Sequence, residues 1–115
     1  MPRFVILEHD HPLLHWDFMV ESGNVLRTWR LRAKPQAAVS IAAEVLGEHR
    51  LAYLDYEGPV SGNRGSVKRW DAGTFAWERD EVGFVVVRLH GQRCVGTATL
   101  ERNAAGEWQF TFSAG

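Results

Sequence analysis

The sequence predicts a mainly β protein with one domain, arranged as a small barrel or a sandwich. Its 115 residues, 45% of them hydrophobic and 11% aromatic, suffice for one core and are too few for two ordinary domains. Residues 14–21 alternate between apolar and polar side chains, which is typical of a half-buried strand. Short β-prone runs then recur along the chain with turn-forming residues between them. We therefore treat residues 1–115 as a single domain.

The first third of the chain predicts a β-meander. Residues 4–8 form a β-prone run that ends at the polar residues 9–12. In residues 14–21 one face carries Leu14, Trp16, Phe18 and Val20, and the other carries His15, Asp17 and Met19. The turn-forming residues 22–24 predict a hairpin that leads into a further strand at residues 25–31.

The pattern is less uniform after residue 31. Residues 37–46 fit a helix or a strand, because their alanines favour a helix while the short length allows a strand. Residues 51–56 predict an extended segment, and the glycine-containing residues 57–65 predict a long loop. Further strands are predicted at residues 66–70, 74–78, 83–90, 94–101 and 108–112.

Charge and cysteine content limit the possible functions. A formal net charge of -1 gives no long-range attraction for nucleic acid, so any phosphate binding must be local. The single cysteine, Cys94, forms no internal disulfide, and there is no cysteine cluster for a structural zinc. No run of eighteen apolar residues is present. We expect a cytoplasmic protein that is not inserted in a membrane.

The polar face of the second strand carries a candidate metal site. Residues i and i+2 of a strand point to the same side, so His15 and Asp17 present an imidazole and a carboxylate together. His9 lies where the first strand should end, and the hairpin could bring it beside His15. Nitrogen and oxygen ligands without thiolate suit manganese, iron or zinc, and three protein ligands leave positions open for water and substrate.

A simpler interpretation stays open for each of these features. Surface histidines are common, and a His-x-Asp pair often arises by chance. His11 is expected to be a solvated turn residue, and His90 a packing or capping residue. Basic residues near the second hairpin and the glycine-containing loop could hold phosphate oxygens, or could form a solvated surface balanced by acidic residues. They are Arg27, Arg30, Arg32, Lys34, Arg50, Arg64, Lys68 and Arg69.

Five motifs resemble the 3'-phosphoesterase domain of bacterial and archaeal DNA ligase D. Residues 4–10, followed by His15-Trp16-Asp17-Phe18, resemble its opening His-Asp and His-aromatic-Asp-Phe-Arg pattern. Residues 49–58 resemble its His-Pro-Leu-x-Tyr-x-x-Phe-Glu-Gly segment, and residues 70–75 its Trp-Asp-x-Gly-x-Trp. Residues 88–91 and 96–100 are similar to its closing strands. The resemblance thus covers nearly the whole chain, in order.

This resemblance implies a fold, an activity and a set of site residues. The fold would be a small β-barrel of short, mostly antiparallel strands with an open active-site face. The activity would be manganese-dependent trimming of broken DNA ends, removing a 3' ribonucleoside and then a 3' phosphate. The metal ligands would be His9, His15 and Asp17, with manganese favoured and zinc or iron as alternatives. The catalytic groups that face the phosphate or transfer protons would be His49 and Tyr53.

The resemblance also implies partners. These are nucleic-acid 3' ends, with separate ligase or polymerase proteins as further candidates, since the chain itself lacks ligase and polymerase segments. We expect a monomer.

Two departures from the family pattern affect the phosphate contacts. Met19 stands where the family has an arginine two residues after the metal-binding aspartate, so a bidentate phosphate clamp is missing there. Residues 59–65 replace the family's Pro-x-Gly-x-Tyr-Gly loop. Arg50, Arg64 or an arginine of the second hairpin could supply the missing charge.

Three functions remain in competition. The first is a metal-dependent phosphoesterase that acts on nucleic-acid 3' ends in DNA end repair. The second is a non-catalytic, end-binding relative that has lost turnover with the arginine. The third is a non-haem iron oxygenase, because His15 and Asp17 with a distal histidine imitate the two-histidine, one-carboxylate triad. Such oxygenases usually need a larger double-sheet jelly roll, and this alternative leaves the other motifs unexplained.

Overall fold

The computed structural model describes all 115 residues and consists almost entirely of strands. Besides a short 3-10 helix at Leu51–Leu54, the elements in chain order are β1 (Arg3–His9), β2 (His15–Ser22), β3 (Val25–Leu31), β4 (Ile41–Val45), β5 (His49–Arg50), β6 (Gly58–Pro59), β7 (Ser66–Glu81), β8 (Phe84–Gly91), β9 (Val95–Arg102) and β10 (Trp108–Ala114). The segment left open between helix and strand, residues 37–46, contains the strand β4. No helix is long and apolar enough to cross a membrane.

Eight of these strands close into an antiparallel barrel. Their order is β1-β2-β3-β4-β10-β9-β8-β7, and β7 pairs with β1 to complete the ring. The short strands β5 and β6 lie outside the ring, paired with β3 and β7. A closed sheet leaves no unpaired edge, which stabilises a small all-β chain against edge-to-edge association. The prediction of a small, mainly antiparallel β-barrel is confirmed.

The alternation of β2 separates two apolar clusters. Trp16, Phe18 and Val20 point into the barrel, where they belong to a core of 17 buried residues. The opposite face is also shielded from water, since His15, Asp17 and Met19 are only 3%, 5% and 2% exposed. A smaller group covers that outer face, and we call it the outer cluster: Val5, Leu7, Met19, Leu26, Leu54 and Val67.

The segment that covers the outer face differs from its prediction. Residues 51–56 were expected to be extended, but Leu51–Leu54 form a 3-10 helix. A 3-10 helix brings residues i and i+3 to the same side, so Leu51 and Leu54 can both pack on the outer cluster. An extended chain would have turned one of them to solvent. We call residues 46–65 the covering segment.

The predicted break between residues 70 and 74 is also wrong. β7 is one continuous strand of 16 residues, and its pairing with β1 shifts by one residue at Trp70. The carboxylate of Asp71 accepts hydrogen bonds from the backbone N–H groups of residues 92–94. Gly73 lies against β8, where an added Cβ would come within 2.0 Å of the His90 carbonyl oxygen. Aspartate and glycine are typical of turns, but here Asp71 and Gly73 allow β7 to contact the neighbouring part of the sheet.

Candidate functional site

The β1–β2 hairpin brings two histidines and one aspartate together on its outer face. His9 pairs with His15 across the hairpin, and their ring centroids are 4.8 Å apart. Asp17 lies two residues further along β2, with Oδ1 3.3 Å from His15 Nε2 and Oδ2 3.7 Å from His9 Nδ1. One potential ligand atom from each residue lies within 4.8 Å of the other two. The structure therefore brings together the three residues expected to bind a metal.

Main-chain carbonyl groups orient both imidazoles of this cluster. His15 Nδ1 is 2.8 Å from the Leu13 carbonyl oxygen, and His9 Nε2 is 2.8 Å from the Arg64 carbonyl oxygen. Because a carbonyl only accepts, each of these nitrogens must carry the hydrogen. The lone pair is then left on His15 Nε2 and on His9 Nδ1, the two nitrogens that face Asp17. Such a backbone contact is how proteins commonly fix a metal-binding histidine.

Two atoms of the cluster are buried without a hydrogen-bond partner. They are His15 Nε2 and Asp17 Oδ1, which lie 3.3 Å apart but make no hydrogen bond to each other. A buried polar atom left unsatisfied typically costs about 1–3 kcal/mol. A divalent cation would satisfy both atoms, and the set of two imidazoles and one carboxylate is chemically suited to manganese, zinc or iron. The residues thus fit the metal that the resemblance implies.

Asp10 anchors the loop between β1 and β2 to the start of β7. Its Oδ1 accepts a hydrogen bond of 2.8 Å from the Ser66 N–H, and this bond lowers the pKa of the Asp10 carboxyl below its ordinary value. Gly65, at φ +73°, allows the close approach, since an added Cβ would lie 2.2 Å from the same oxygen. Asp10 therefore positions the loop that follows His9.

A cavity of about 350 Å³ opens beside the three residues and also receives the expected catalytic groups. His49 and Tyr53 reach it from the covering segment, with ring centroids 5.8 Å apart. His49 Nδ1 donates to the Gly47 carbonyl oxygen at 2.9 Å, which leaves Nε2 for other partners. The lining residues are Leu7, His9, His11, Pro12, Asp17, Met19, Arg30, Leu46, His49, Tyr53, Val60, Arg64 and Val67. The structure thus places His49 near Asp17, although 32 positions separate them in the sequence.

The two arginines expected to bind phosphate are placed differently. Arg64 lines the cavity, but its guanidinium donates to the Ser61 carbonyl oxygen at 2.7 Å and to Ser61 Oγ at 3.1 Å. Arg50 lies outside this cavity and lines a neighbouring one, with Tyr53 between the two. Neither guanidinium therefore lies free beside the candidate metal ligands.

Met19 combines two environments. As expected from strand alternation, it borders the cavity. It also belongs to the outer cluster, so its side chain contributes both to apolar packing and to the cavity wall.

Two cavity residues escaped the sequence analysis. His11, expected to be solvated, is half-buried and lines the cavity. Arg30 was named only within the group of second-hairpin arginines that could supply the missing charge, and it lies directly opposite Asp17 in the β2–β3 hairpin. The sequence did contain a signal for Arg30. If the predicted turn pairs Ser22 with Val25, the antiparallel register also pairs residue 17 with residue 30.

A larger cavity, of about 500 Å³, lies elsewhere on the barrel and lacks this chemistry. It is lined by Arg3, Asp55, Arg69, Trp70, Asp71, Ala72, Gly73, Thr74, Gln92 and Arg93. Its guanidinium groups already have partners within the protein, namely Asp55 for Arg3, the Leu54 carbonyl for Arg69 and the Trp70 carbonyl for Arg93. It contains no histidine and no cluster of potential metal ligands. The smaller cavity is therefore the better candidate for a functional site.

Comparison with known proteins identifies the family of this chain. Residues 7–102 match the family described as DNA Ligase D 3'-phosphoesterase domain. The multifunctional non-homologous end joining protein LigD of Mycobacterium bovis is 34% identical over 114 residues, covering 91% of this chain and 15% of that protein. LigD of Pseudomonas aeruginosa is 31% identical over 112 residues, covering 87% of this chain and 13% of that protein.

The chain spans about 15% of the length of the first of these curated relatives. The matches do not support the non-haem iron oxygenase alternative, and neither does the closed barrel, which differs from a double-sheet jelly roll. By its sequence match over residues 7–102, the chain belongs to the DNA ligase D 3'-phosphoesterase domain family.

Proposed function

We propose that this chain is a metal-dependent 3'-phosphoesterase that removes a 3' phosphate or a 3' ribonucleoside from nucleic-acid ends. The observation that carries the proposal is the cluster of His9, His15 and Asp17, whose imidazoles are turned by backbone carbonyls so that both free nitrogens face the carboxylate. Family membership and the relatives, which are named as non-homologous end joining proteins, support DNA end repair as the setting.

In this proposal His9, His15 and Asp17 hold the divalent ion, with manganese favoured. A divalent ion held there would add positive charge beside the phosphoryl oxygens and the attacking water. The carboxylate of Asp17 and the two neutral imidazoles leave the ion a net positive charge, which favours an anionic substrate. The cavity beside them, of about 350 Å³, is where the phosphorylated end would lie.

His49 and Tyr53 also line the cavity. Water attacks phosphorus, and its protons pass to the phosphate group or to solvent. The bond that breaks joins phosphorus to the 3' oxygen when a 3' phosphate is removed, and to the 5' oxygen of the terminal nucleoside when a 3' ribonucleoside is removed. The leaving oxygen must gain a proton. His49 in its imidazolium form can give this proton from Nε2, the ring nitrogen that the Gly47 contact does not use. The hydroxyl of Tyr53 can donate a hydrogen bond to a phosphate oxygen.

A turnover assay tests the proposal. The full chain is incubated with a 3'-phosphorylated primer-template with manganese, with zinc, with iron and with a chelator, and phosphate release is measured. We expect turnover with metal and none with the chelator. Asp17→Asn should lower the rate by more than tenfold, which corresponds to about 1.4 kcal/mol. Asp80→Asn, on the exposed end of β7, should keep the wild-type rate. Absence of turnover with every metal would contradict the proposal.

One observation favours a second candidate, a non-catalytic relative that binds 3' ends. Met19 packs in the outer cluster at the position where the family has an arginine, so that charge is absent from β2. Such a protein would bind a 3'-phosphorylated end without releasing phosphate. The same assay, combined with a binding measurement, separates the two candidates.

A further inference from the structure

We infer that Arg30 binds the terminal phosphate of the nucleic-acid end in the cavity beside His9 and Asp17. The inference rests on the proposed function for its substrate and assigns a role to a residue of β3. It concerns phosphate recognition, so it applies to an enzyme and to a non-catalytic binding protein alike.

The register of the β2–β3 hairpin places Arg30 beside the candidate metal ligands. Asp17 and Arg30 are direct cross-strand partners, and the Cβ atoms of such partners lie about 5 Å apart on one face of the sheet. Arg30 lines the same cavity as His9, Asp17, His49 and Tyr53. A phosphate next to the metal ligands would therefore be within reach of its guanidinium.

The guanidinium of Arg30 is poorly satisfied within the protein. Its Nε is buried and has no hydrogen-bond partner. Nη1 approaches Glu44 Oε1 only to 3.7 Å, and the side chain as a whole is 28% exposed. A buried N–H without an acceptor is uncommon in folded proteins. The exposed part of the side chain leaves room for an acceptor from outside the chain, such as a phosphate oxygen, to bind the guanidinium.

The other cations near the cavity are less available. Arg64 is held by the Ser61 carbonyl and hydroxyl groups, and Arg50 faces the neighbouring cavity. Lys68, on β7, is not among the residues that line the cavity. Arg30 is thus the guanidinium in the cavity that lacks a close acceptor.

Guanidinium chemistry suits this position. The planar fork of N–H donors matches two oxygens of a phosphate and stays charged at any physiological pH. Because the net charge of the chain is -1, discrimination of a phosphorylated end must come from local positive charge, and a guanidinium here would add to the charge of the metal ion. The uncharged Met19 leaves β2 without one, and Arg30 supplies it from the adjacent strand.

The test compares binding of the same primer-template with a 3' phosphate and with a 3' hydroxyl. Binding is measured by fluorescence anisotropy with manganese in a His49→Ala background, and electrophoresis confirms that the phosphate stays intact. We expect the background protein to prefer the phosphorylated end. Arg30→Gln should weaken binding of that end at least tenfold, or about 1.4 kcal/mol, and leave binding of the hydroxyl end unchanged.

Arg32→Gln is the matched control. Arg32 lies 3.7 Å from the same oxygen of Glu44, but it lines a different cavity, so both affinities should be retained. Unchanged manganese binding by Arg30→Gln shows that the metal site is still folded, and Arg30→Lys should restore only part of the preference.

The outcomes separate this inference from the proposed function. Loss of the preference in Arg30→Gln supports the inference whether or not the wild type releases phosphate. If the wild type turns over while Arg30→Gln keeps the full preference, the inference is wrong and the proposed function stands. Equal weakening of both ends by Arg30→Gln, or no preference in the background protein, would also overturn the inference.

Discussion

Cys94 is a single thiol whose chemistry is set by its surroundings. It is 3% exposed, and burial, assisted by the negative charge of Asp71, raises the pKa of the Cys94 thiol to about 12. We expect no reaction with iodoacetamide at pH 8 in the folded protein and rapid reaction in urea, because only the thiolate is nucleophilic. Mass spectrometry reports this directly, since the chain has one cysteine. Fast labelling without denaturant would contradict it.

The same shift has a consequence for stability at high pH. The folded-state pKa of about 12 lies above the ordinary value of 9.0. The thiol therefore contributes its full stabilisation below pH 9, and this is lost as the pH rises from 9 towards 12. Cys94→Ala should remove that part of the pH dependence of the free energy of unfolding.

Single residues also show how far the sequence predicts the site. His15 and Asp17 could be placed on one face because strand alternation is local, and the hairpin then brought His9 to them. The side chain of Arg64 could not be placed, because its attachment to Ser61 depends on the conformation of the loop. Arg30 was within reach of a register argument, but its missing hydrogen-bond partner is a property of the packed structure.

At the level of elements, Asp71 joins β7 to the turn between β8 and β9. Its two carboxylate oxygens accept three backbone N–H groups, at 2.8, 3.0 and 2.9 Å. We expect Asp71→Asn to lower the free energy of unfolding by about 1.5–3 kcal/mol. The asparagine amide lacks the negative charge of the carboxylate, and its NH2 group would face a backbone N–H that needs an acceptor. Urea unfolding measures the change.

Asp80→Asn is the matched control on the same strand. Asp80 is exposed and forms a surface ion pair of 2.9 Å with Arg27, so its loss should cost about 1 kcal/mol or less. Equal effects of the two substitutions would mean that the Asp71 hydrogen bonds contribute little. Asp71 was part of a family motif, and the structure gives this part of the motif a structural explanation.

The elements that the sequence predicted best are those with a local β-prone pattern. β1, β2, β3, β8, β9 and β10 all lie within two residues of their expected bounds, since each is an alternating or continuously apolar run bounded by polar or turn-forming residues. The covering segment was less predictable, because its 3-10 helix forms against the outer cluster and has no pattern of its own. β7 was predicted in two parts because its Asp and Gly satisfy contacts with distant strands.

For the molecule as a whole, the candidate site lies on the outer face of the barrel, where Leu7, Met19 and Val67 of the outer cluster border its cavity. The inner core fills the barrel, and the outer cluster holds the covering segment against the outer face of β1 and β2. His9, His15 and Asp17 come from the barrel, whereas His49 and Tyr53 come from the covering segment. The geometry of the cavity therefore depends on how firmly that segment is docked.

This dependence predicts different effects for truncations in the two clusters. Leu54 is buried in the outer cluster, and Leu54→Ala should remove about 2–5 kcal/mol of packing free energy there. The loss should appear mainly as faster amide hydrogen exchange in residues 46–65 and as weaker discrimination of a 3'-phosphorylated end, with exchange in β8–β10 unchanged. Phe18→Ala, in the inner core, should cost about 3–5 kcal/mol and accelerate exchange throughout the barrel. Uniformly faster exchange in Leu54→Ala would instead show that the two clusters unfold as one unit, because local opening of the covering segment would then not precede global unfolding.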